Sequence, residues 1–160
     1  MKVFVKNRFN LAGSSKVLDE SGKDVLKVKG KTFSIRKKKR ICDLSGKVLY
    51  RVQNKFWNWL LPSCYIFSSD GERIGKLVNK IKGDALYVLE DFADEITIDG
   101  EFMSSLLTVK RKGNVIGSIK MDFTIINDKF EVEGEEEDIP FLVALTIAID
   151  NIRDKARKQK

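Results

Sequence analysis

Residues 139–149 read Ile-Pro-Phe-Leu-Val-Ala-Leu-Thr-Ile-Ala-Ile, and this apolar run decides the fold. A helix that is apolar on every side must be buried on every side. As a helix the run rises about 16 Å, roughly half of the hydrocarbon thickness of a bilayer. We therefore expect the core helix of a folded domain rather than a membrane anchor.

The residues that flank this run predict where the helix begins and ends. Asp138 is a candidate N-cap, and Pro140 falls in the first turn, where a missing N–H breaks no hydrogen bond. The acidic residues 135–137 would lie at the positive end of the helix dipole. Basic residues at Arg153, Lys155 and Arg157 would lie at its negative end. A helix over residues 139–152, enclosed by strands, is the resulting prediction.

Upstream of the helix, the chain repeats a unit built on a tight turn. The turns are Asp19-Glu20-Ser21-Gly22, Asp43-Leu44-Ser45-Gly46, Ser68-Ser69-Asp70-Gly71 and a weaker copy, Lys110-Arg111-Lys112-Gly113. Glycine supplies the positive φ that such hairpin turns demand. Apolar residues follow each glycine at three and at six positions: Val25 and Val28, Leu49 and Val52, Ile74 and Leu77, Ile116 and Ile119. Because strict alternation would give even spacing, the units carry either a bulge or a two-sided apolar face.

Short β-branched runs between these turns predict strands. The predicted strands cover residues 2–6, 15–19, 24–29, 32–36, 40–43, 47–53, 64–68, 73–80, 85–90, 95–98, 102–110, 115–125 and 128–132. A meander repeated through the chain favours a barrel, because closure removes exposed sheet edges. The fold class is therefore mainly β, a barrel wrapped around its own C-terminal helix.

Length and composition indicate one globular domain over residues 1–160. The apolar fraction is 42%, with ten Phe, as expected of a chain that packs a core rather than staying disordered. The two cysteines, Cys42 and Cys64, lack metal-ligand neighbours in the sequence and are interpreted as reduced core residues. The charged start of the chain does not read as a signal peptide, and no apolar run is long enough to span a membrane. These features predict a cytoplasmic protein, peripheral to the membrane if it meets one.

The net charge of +7 is concentrated in two short segments. One is the predicted basic hairpin Arg36, Lys37, Lys38, Lys39 and Arg40. The other is the tail from Arg153 to Lys160, and the remainder of the chain is slightly acidic. The two segments are candidates for binding an anionic surface, and the alternative is that they only solvate a hairpin tip and a chain end.

Several segments form a pattern across the chain, beginning with Lys2-Val3-Phe4-Val5-Lys6-Asn7-Arg8-Phe9 and the unit from Asp24 to Ser34. These two segments resemble the first strand and the "V-x-x-V-x-G-K-x-F-S" signature of the LURP-one-related family. Asp43-Leu44-Ser45-Gly46-Lys47, Leu60-Leu61-Pro62 with Tyr65, and the run from Asp138 to Asp150 follow at similar spacing. The resemblance implies a closed antiparallel barrel of about twelve strands around one hydrophobic C-terminal helix, like the C-terminal domain of tubby proteins and the phospholipid scramblases. No phosphoinositide-contacting or calcium-loop residue of those relatives can be matched to a position here.

The sequence carries no recognised catalytic constellation, metal site or cofactor motif. Histidine is absent, which excludes nucleophilic catalysis with a histidine base. The acidic run of Glu133, Glu135, Glu136, Glu137 and Asp138 could gather a hard cation or act in an enzyme with paired carboxylates. Helix capping explains the same run more simply.

Trp57 and Trp59 alternate in the segment Phe56–Pro62 and would share one strand face. Amphipathic tryptophans suit a membrane interface or a partner groove, and packing on the barrel wall is the alternative. No aromatic residue is interleaved with Arg36–Arg40, so no specific nucleic-acid partner is expected. We therefore expect a non-enzymatic binding module that meets anionic lipid head groups or a protein partner. The alternative is a small enzyme or cation-binding protein that uses the clustered carboxylates.

Overall fold

Twelve strands followed by one helix make up the part of the chain that the structure describes. This computed structural model describes residues 1–6, 14–30, 37–55, 63–79, 87–90, 92, 94–100, 105–123 and 128–158. The elements are β1 (Lys2–Lys6), β2 (Ser15–Asp19), β3 (Asp24–Gly30), β4 (Lys39–Cys42), β5 (Val48–Asn54), β6 (Ser63–Ser68), β7 (Arg73–Asn79), β8 (Tyr87–Glu90), β9 (Ile96–Asp99), β10 (Leu106–Arg111), β11 (Asn114–Phe123), β12 (Asp128–Gly134) and α1 (Ile139–Lys158). The predicted strand at 32–36 lies outside the described residues.

All twelve strands belong to a single antiparallel sheet. Their order is β8-β7-β6-β5-β4-β3-β2-β1-β12-β11-β10-β9. The chain therefore meanders from β1 to β8, and β12 returns to pair with β1, where Val3 lies opposite Val132. The end strands β8 and β9 approach within 8 Å between Cα atoms. The mainly β fold with about twelve antiparallel strands is confirmed, while closure of the sheet into a barrel stays a prediction.

The repeated unit is a hairpin with a bulge. Its four glycines have positive φ, at 83° for Gly22, 95° for Gly46, 83° for Gly71 and 79° for Gly113. In all four hairpins the pairing register shifts by one residue shortly after the turn. The unpaired residue is each time the apolar one three positions after the glycine: Val25, Leu49, Ile74 and Ile116.

This extra residue explains the spacing that strict alternation could not. All four bulged side chains pack against the core while partly exposed, and the residues three positions further on are fully buried. An inserted residue lets side chains at odd spacing reach the same face of the sheet. Of the two alternatives left open by the sequence, the structure selects the bulge.

Helix α1 lies in the core. All residues from 141 to 152 are buried, and Leu142, Leu145 and Ile149 are completely so. The helix contacts β4 to β7 on one side and β11 and β12 on another. The prediction of an enclosed helix is confirmed, and the helix continues to Lys158. Within the described residues, no helix combines the length and the apolar character needed to cross a membrane.

Two glycines allow the helix to approach the sheet closely. Gly117 on β11 lies opposite Gly134 on β12. A Cβ atom added to either one would overlap a side-chain carbon of Leu142 and a backbone carbonyl of the neighbouring strand. The first turn of α1 therefore rests where two strands carry no side chains.

Candidate anion-binding surface

The predicted basic hairpin leads into strand β4. Lys37 has a positive φ of 46°, and the strand begins two residues later at Lys39. Lys38 and Arg40 are exposed, while Lys37 and Lys39 are partly buried. Arg36 lies outside the described residues. The four described cations therefore do not share one environment.

Lys39 turns into the fold rather than out of it. Its Nζ lies 3.7 Å from a carboxylate oxygen of Asp150 on α1, and the two side chains are 13% and 10% exposed. Burial lowers the pKa of the Lys39 ammonium below its ordinary value, and the Asp150 carboxylate opposes that shift. The expectation that all five cations of the segment reach an anionic surface together is wrong for Lys39, because its charge is held inside.

The same helix turn also holds Lys37 through its backbone. The side-chain amide of Asn151 donates to the Lys37 carbonyl at 3.1 Å, across a sequence separation of 114 residues. That amide also lies 4.0 Å from the Cys64 sulfur. Burial raises the pKa of the Cys64 thiol to about 12. A buried polar cluster of Lys39, Cys64, Asp150 and Asn151 thus joins β4 and β6 to the helix.

These contacts bring the two basic segments of the sequence to one end of the sheet. Helix α1 passes Lys37 and Lys39 at Asp150 and Asn151, and its last turns continue beyond them through residues 153–158, four of which are basic. Lys160 lies outside the described residues. We call this region, Lys37–Arg40 together with residues 153–158, the basic end.

Arg40 belongs to a wider basic surface on the outer wall. It lies directly opposite Lys29 on β3 and Arg51 on β5, and all three residues are exposed. Two residues before Lys29 on the same face, Lys27 lies opposite Lys16 on β2. We call Lys16, Lys27, Lys29, Arg40 and Arg51 the cationic band.

The cationic band contains three cross-strand pairs of like charge, which are destabilising when they face each other directly. One acid relieves it in part, since Lys16 forms an ion pair with Asp24 at 2.8 Å. An anion bound across the band would reduce the same repulsion. Like-charge pairs kept in register on an exposed face therefore favour an anionic ligand or surface.

A groove opens on the β1 side of the band. Its volume is about 430 Å³, and four lysines from three adjacent strands line it: Lys6, Lys16, Lys27 and Lys29. Leu18 supplies apolar surface beside them, whereas the side chain of Val28 is buried in the core. The groove is therefore a basic concavity with an apolar part.

The acidic run lies at the other end of the helix, and two of its five members, Glu133 and Asp138, face a cation of the protein. The guanidinium of Arg111 donates to the Asp138 carboxylate at 2.7 Å and lies 5.6 Å from the centre of the Phe141 ring. Lys2 pairs with Glu131 at 2.9 Å and with Glu133 at 4.0 Å. Among the described residues, no three acids or cysteines are grouped as metal ligands would be. The cation-binding alternative gains no support from this arrangement.

The remaining candidates from the sequence are the two tryptophans and the two cysteines. Trp57 and Trp59 lie outside the described residues, so their role as interface aromatics stays a prediction. Cys42 and Cys64 are both buried and form no disulfide. Their expected place in the core is confirmed.

The chain is similar in sequence to proteins of one known family. A sequence model described as LURP-one-related matches residues 1–150. The chain belongs to the LURP-one-related family. It is 24% identical over 155 residues to the uncharacterized protein YxjI of Bacillus subtilis (strain 168), covering 95% of this chain and 93% of that protein.

The fold of this LURP-one-related protein is also similar to that of a solved structure. An Arabidopsis thaliana protein known from X-ray work superimposes with a TM-score of 0.59 at 13% identity, covering 95% of this chain and 91% of that one. At this identity the likeness establishes the fold alone.

Two parts of the candidate surface of this LURP-one-related protein were not predicted from the sequence. Asp150 and Asn151 follow the apolar run of the helix directly, and these two polar residues were the available signal for a buried cluster. Lys27, Lys29 and Arg51 alternate with apolar residues on their strands, but their grouping with Arg40 depends on strand register. That register cannot be read from composition.

Proposed function

We propose that this LURP-one-related protein is a non-enzymatic binding module whose basic end and cationic band associate with anionic lipid head groups. The observation that carries the proposal is the position of Arg40. It joins the exposed part of the basic segment to Lys29 and Arg51 on the outer wall, so that cations from three strands form one continuous surface.

A surface of this kind would bind a membrane weakly and reversibly. Each basic residue close to an anionic membrane contributes about 1 kcal/mol, so a handful of them produces weak but measurable binding. The charges are exposed and therefore screened, with a Debye length of about 8 Å at physiological ionic strength. Binding should accordingly weaken as salt is added.

The proposal that the protein is not an enzyme rests on the ion pairs that its described carboxylates form. Asp138 pairs with Arg111, Glu131 pairs with Lys2, and Asp150 pairs with Lys39. Each of these carboxylates is held in an ion pair by a cation of the protein itself, whereas a catalytic acid or base must contact the reacting group. The carboxylate-enzyme alternative is therefore not favoured.

Co-sedimentation with liposomes of rising phosphatidylserine content, at several salt concentrations, tests the proposal. The variant Lys38→Glu/Arg40→Glu should lose binding, whereas Lys39 is left unchanged because it is buried. Glutamate at position 40 would face Lys29 and Arg51, so the fold should tolerate the change.

A matched control carries the same change in charge on a different hairpin. Lys112 and Lys120 are exposed residues of the β10–β11 hairpin, and Lys112→Glu/Lys120→Glu should bind nearly as the wild type does. Equal loss of vesicle binding in both variants would show that binding depends on net charge alone and not on the positions of Lys38 and Arg40. No binding of the wild type to strongly anionic vesicles at low salt would overturn the proposal.

A further inference from the structure

The outer face of the sheet arranges its charges differently on its two sides. On β1, β11 and β12, three lysines each lie directly opposite an acid: Lys2 opposite Glu133, Lys120 opposite Glu131 and Lys129 opposite Asp122. On β2 to β5, the residues of the cationic band lie opposite one another instead. Opposite charges across strands stabilise a sheet and like charges destabilise it. The first side is therefore balanced by its own residues, and the second is not.

One row of this second side crosses five neighbouring strands and contains no acid. It runs from Lys29 on β3 through Arg40, Arg51 and Phe67 to Arg73 on β7. Neighbouring strands lie about 4.8 Å apart, so the row is about 19 Å long. All four cations of the row are exposed. The basic surface therefore extends beyond the cationic band, across β6 to β7.

Two aromatic side chains lie among these cations on the outer face of β6. Phe67 is the member of the row between Arg51 and Arg73, and Tyr65 precedes it by two residues on the same face. Both side chains are partly exposed, and their rings pack edge to face with 6.3 Å between the centroids. The Arg73 guanidinium carbon lies 5.1 Å from the centre of the Tyr65 ring. Positive charge and aromatic surface therefore occur side by side on one face.

This combination suits the head-group region of an anionic bilayer. Basic side chains are attracted to the lipid charge, and aromatic rings gain from the boundary between head groups and acyl chains. A single-stranded nucleic acid is also bound by cations and rings, but its bases need a ring face on which to stack. At Tyr65, the Arg73 guanidinium lies over the ring and Phe67 packs beside it, so a stacking base would have to displace the guanidinium. The geometry therefore favours lipid.

We propose that the protein docks on anionic bilayers with the outer face of β3 to β7, and that Tyr65, Phe67 and Arg73 contact the lipid there. We call the row from Lys29 to Arg73, together with Tyr65, the docking face. The inference rests on the proposed membrane association. It goes further because it assigns the side of the sheet that meets the lipid and adds an apolar contribution to binding. The balanced side, on β1, β11 and β12, then faces the solvent.

Co-sedimentation with phosphatidylserine vesicles at several salt concentrations tests the aromatic contribution. The variant Tyr65→Thr/Phe67→Thr keeps the net charge and places β-branched residues on the strand. It should bind about tenfold more weakly than the wild type at each salt concentration, because salt does not screen an apolar contact. The matched control Phe4→Thr/Leu106→Thr removes two apolar side chains from the outer face of β1 and β10, and it should bind as the wild type does.

A polarity-sensitive dye on each side of the sheet measures the orientation without removing any aromatic contact. The dye nitrobenzoxadiazole is attached to Gln53→Cys, which lies opposite Tyr65 on β5, or to Ser118→Cys on β11. Cys42 and Cys64 are buried and should react slowly. Vesicle binding should shift the emission to the blue at position 53 and leave it unchanged at position 118.

Two results would overturn the docking face and leave the proposed membrane association standing. One is equal vesicle binding by Tyr65→Thr/Phe67→Thr and the wild type, and the other is a blue shift at position 118 but not at position 53. Absence of vesicle binding by the wild type at low salt would instead overturn the proposed function itself. A loss of oligothymidine binding rather than of vesicle binding in Tyr65→Thr/Phe67→Thr would assign the face to single-stranded nucleic acid and overturn the lipid assignment.

Discussion

Lys39 on β4 and Asp150 on α1 form an ion pair inside the fold, with 3.7 Å between the ammonium nitrogen and a carboxylate oxygen. The pair fastens the strand that carries the basic segment to the last buried turn of the helix. It also divides that segment, since Lys39 serves the interior while Lys38 and Arg40 face solvent.

Removing the Asp150 carboxylate should lower the stability of the protein, because the Lys39 ammonium would stay buried without this partner. Asp150→Ala should lower the free energy of unfolding by about 3–5 kcal/mol, because it leaves the Lys39 charge buried without its counter-ion. Urea unfolding measures the change. Both residues also take part in other interactions, so a double-mutant cycle with Lys39→Met isolates the pair. If Asp150→Ala is no more harmful in the wild type than in Lys39→Met, the two residues do not interact.

The enclosed helix should tolerate no charge at its buried positions. Leu145 is completely buried, so Leu145→Asp should prevent folding, and Leu145→Ala should cost about 2–5 kcal/mol. Val115 is 62% exposed and offers the matched substitution Val115→Asp, which should change stability little. Circular dichroism and thermal melting report both. A cooperative melt from Leu145→Asp would contradict the enclosed position of α1.

The close approach of helix and sheet should be sensitive to a single methyl group. Gly117→Ala introduces a Cβ that overlaps Leu142 and the Glu133 carbonyl. Because one of these is backbone, side-chain repacking cannot remove the clash, and we expect a loss of about 1–3 kcal/mol. Ser118→Ala, one residue further along β11, is the control and should be nearly neutral. Equal stability of the two variants in urea would show that the strands can separate at this point.

Cys64 should make stability fall at high pH. Its pKa rises to about 12 in the folded protein from an ordinary value of 9.0, because burial disfavours the thiolate. The unfolded chain therefore releases this proton at lower pH than the folded protein does. The stabilising contribution is complete below about pH 9 and is lost as the pH rises towards 12.

The difference between the wild type and Cys64→Ala isolates this effect from other titrating groups. Between about pH 9 and 12, the wild type should lose up to about 1.4 kcal/mol per pH unit more than the variant does. Parallel pH profiles would show that the thiol ionises as readily in the folded protein. Slow alkylation of Cys64 by iodoacetamide under native conditions is the accompanying expectation.

The local features of the fold could be predicted because they are written in short stretches of sequence. The all-round apolar run at 139–149 indicated the buried helix, and the glycine turns indicated the hairpins. Even the bulges left a trace, since Val25 and its three counterparts stand at a spacing that an unbroken strand does not allow. Each of these signals depends on residues within about one turn of helix or one hairpin.

The candidate site could be predicted only in part because it depends on contacts between distant segments. Nothing near Lys39 in the sequence shows that it meets Asp150 rather than solvent. Lys29 and Arg51 become neighbours of Arg40 only once the strand register is fixed, and a slip of one residue would turn them to the other face. The positive charges identify the basic segment in the sequence. They do not show which of its side chains point to solvent and which point into the fold.

The position of α1 after all twelve strands has a consequence for biosynthesis. A chain leaving the ribosome presents its hairpins in order, yet the side chains that fill their shared interior are the last to be made. Until residues 139–152 emerge, Val28, Ile66 and Ile119 face a space with nothing in it, and the nascent sheet exposes apolar surface that invites chaperones or aggregation. A message cut short before the helix would thus yield a product that quality control can recognise by its empty interior, however many strands it contains.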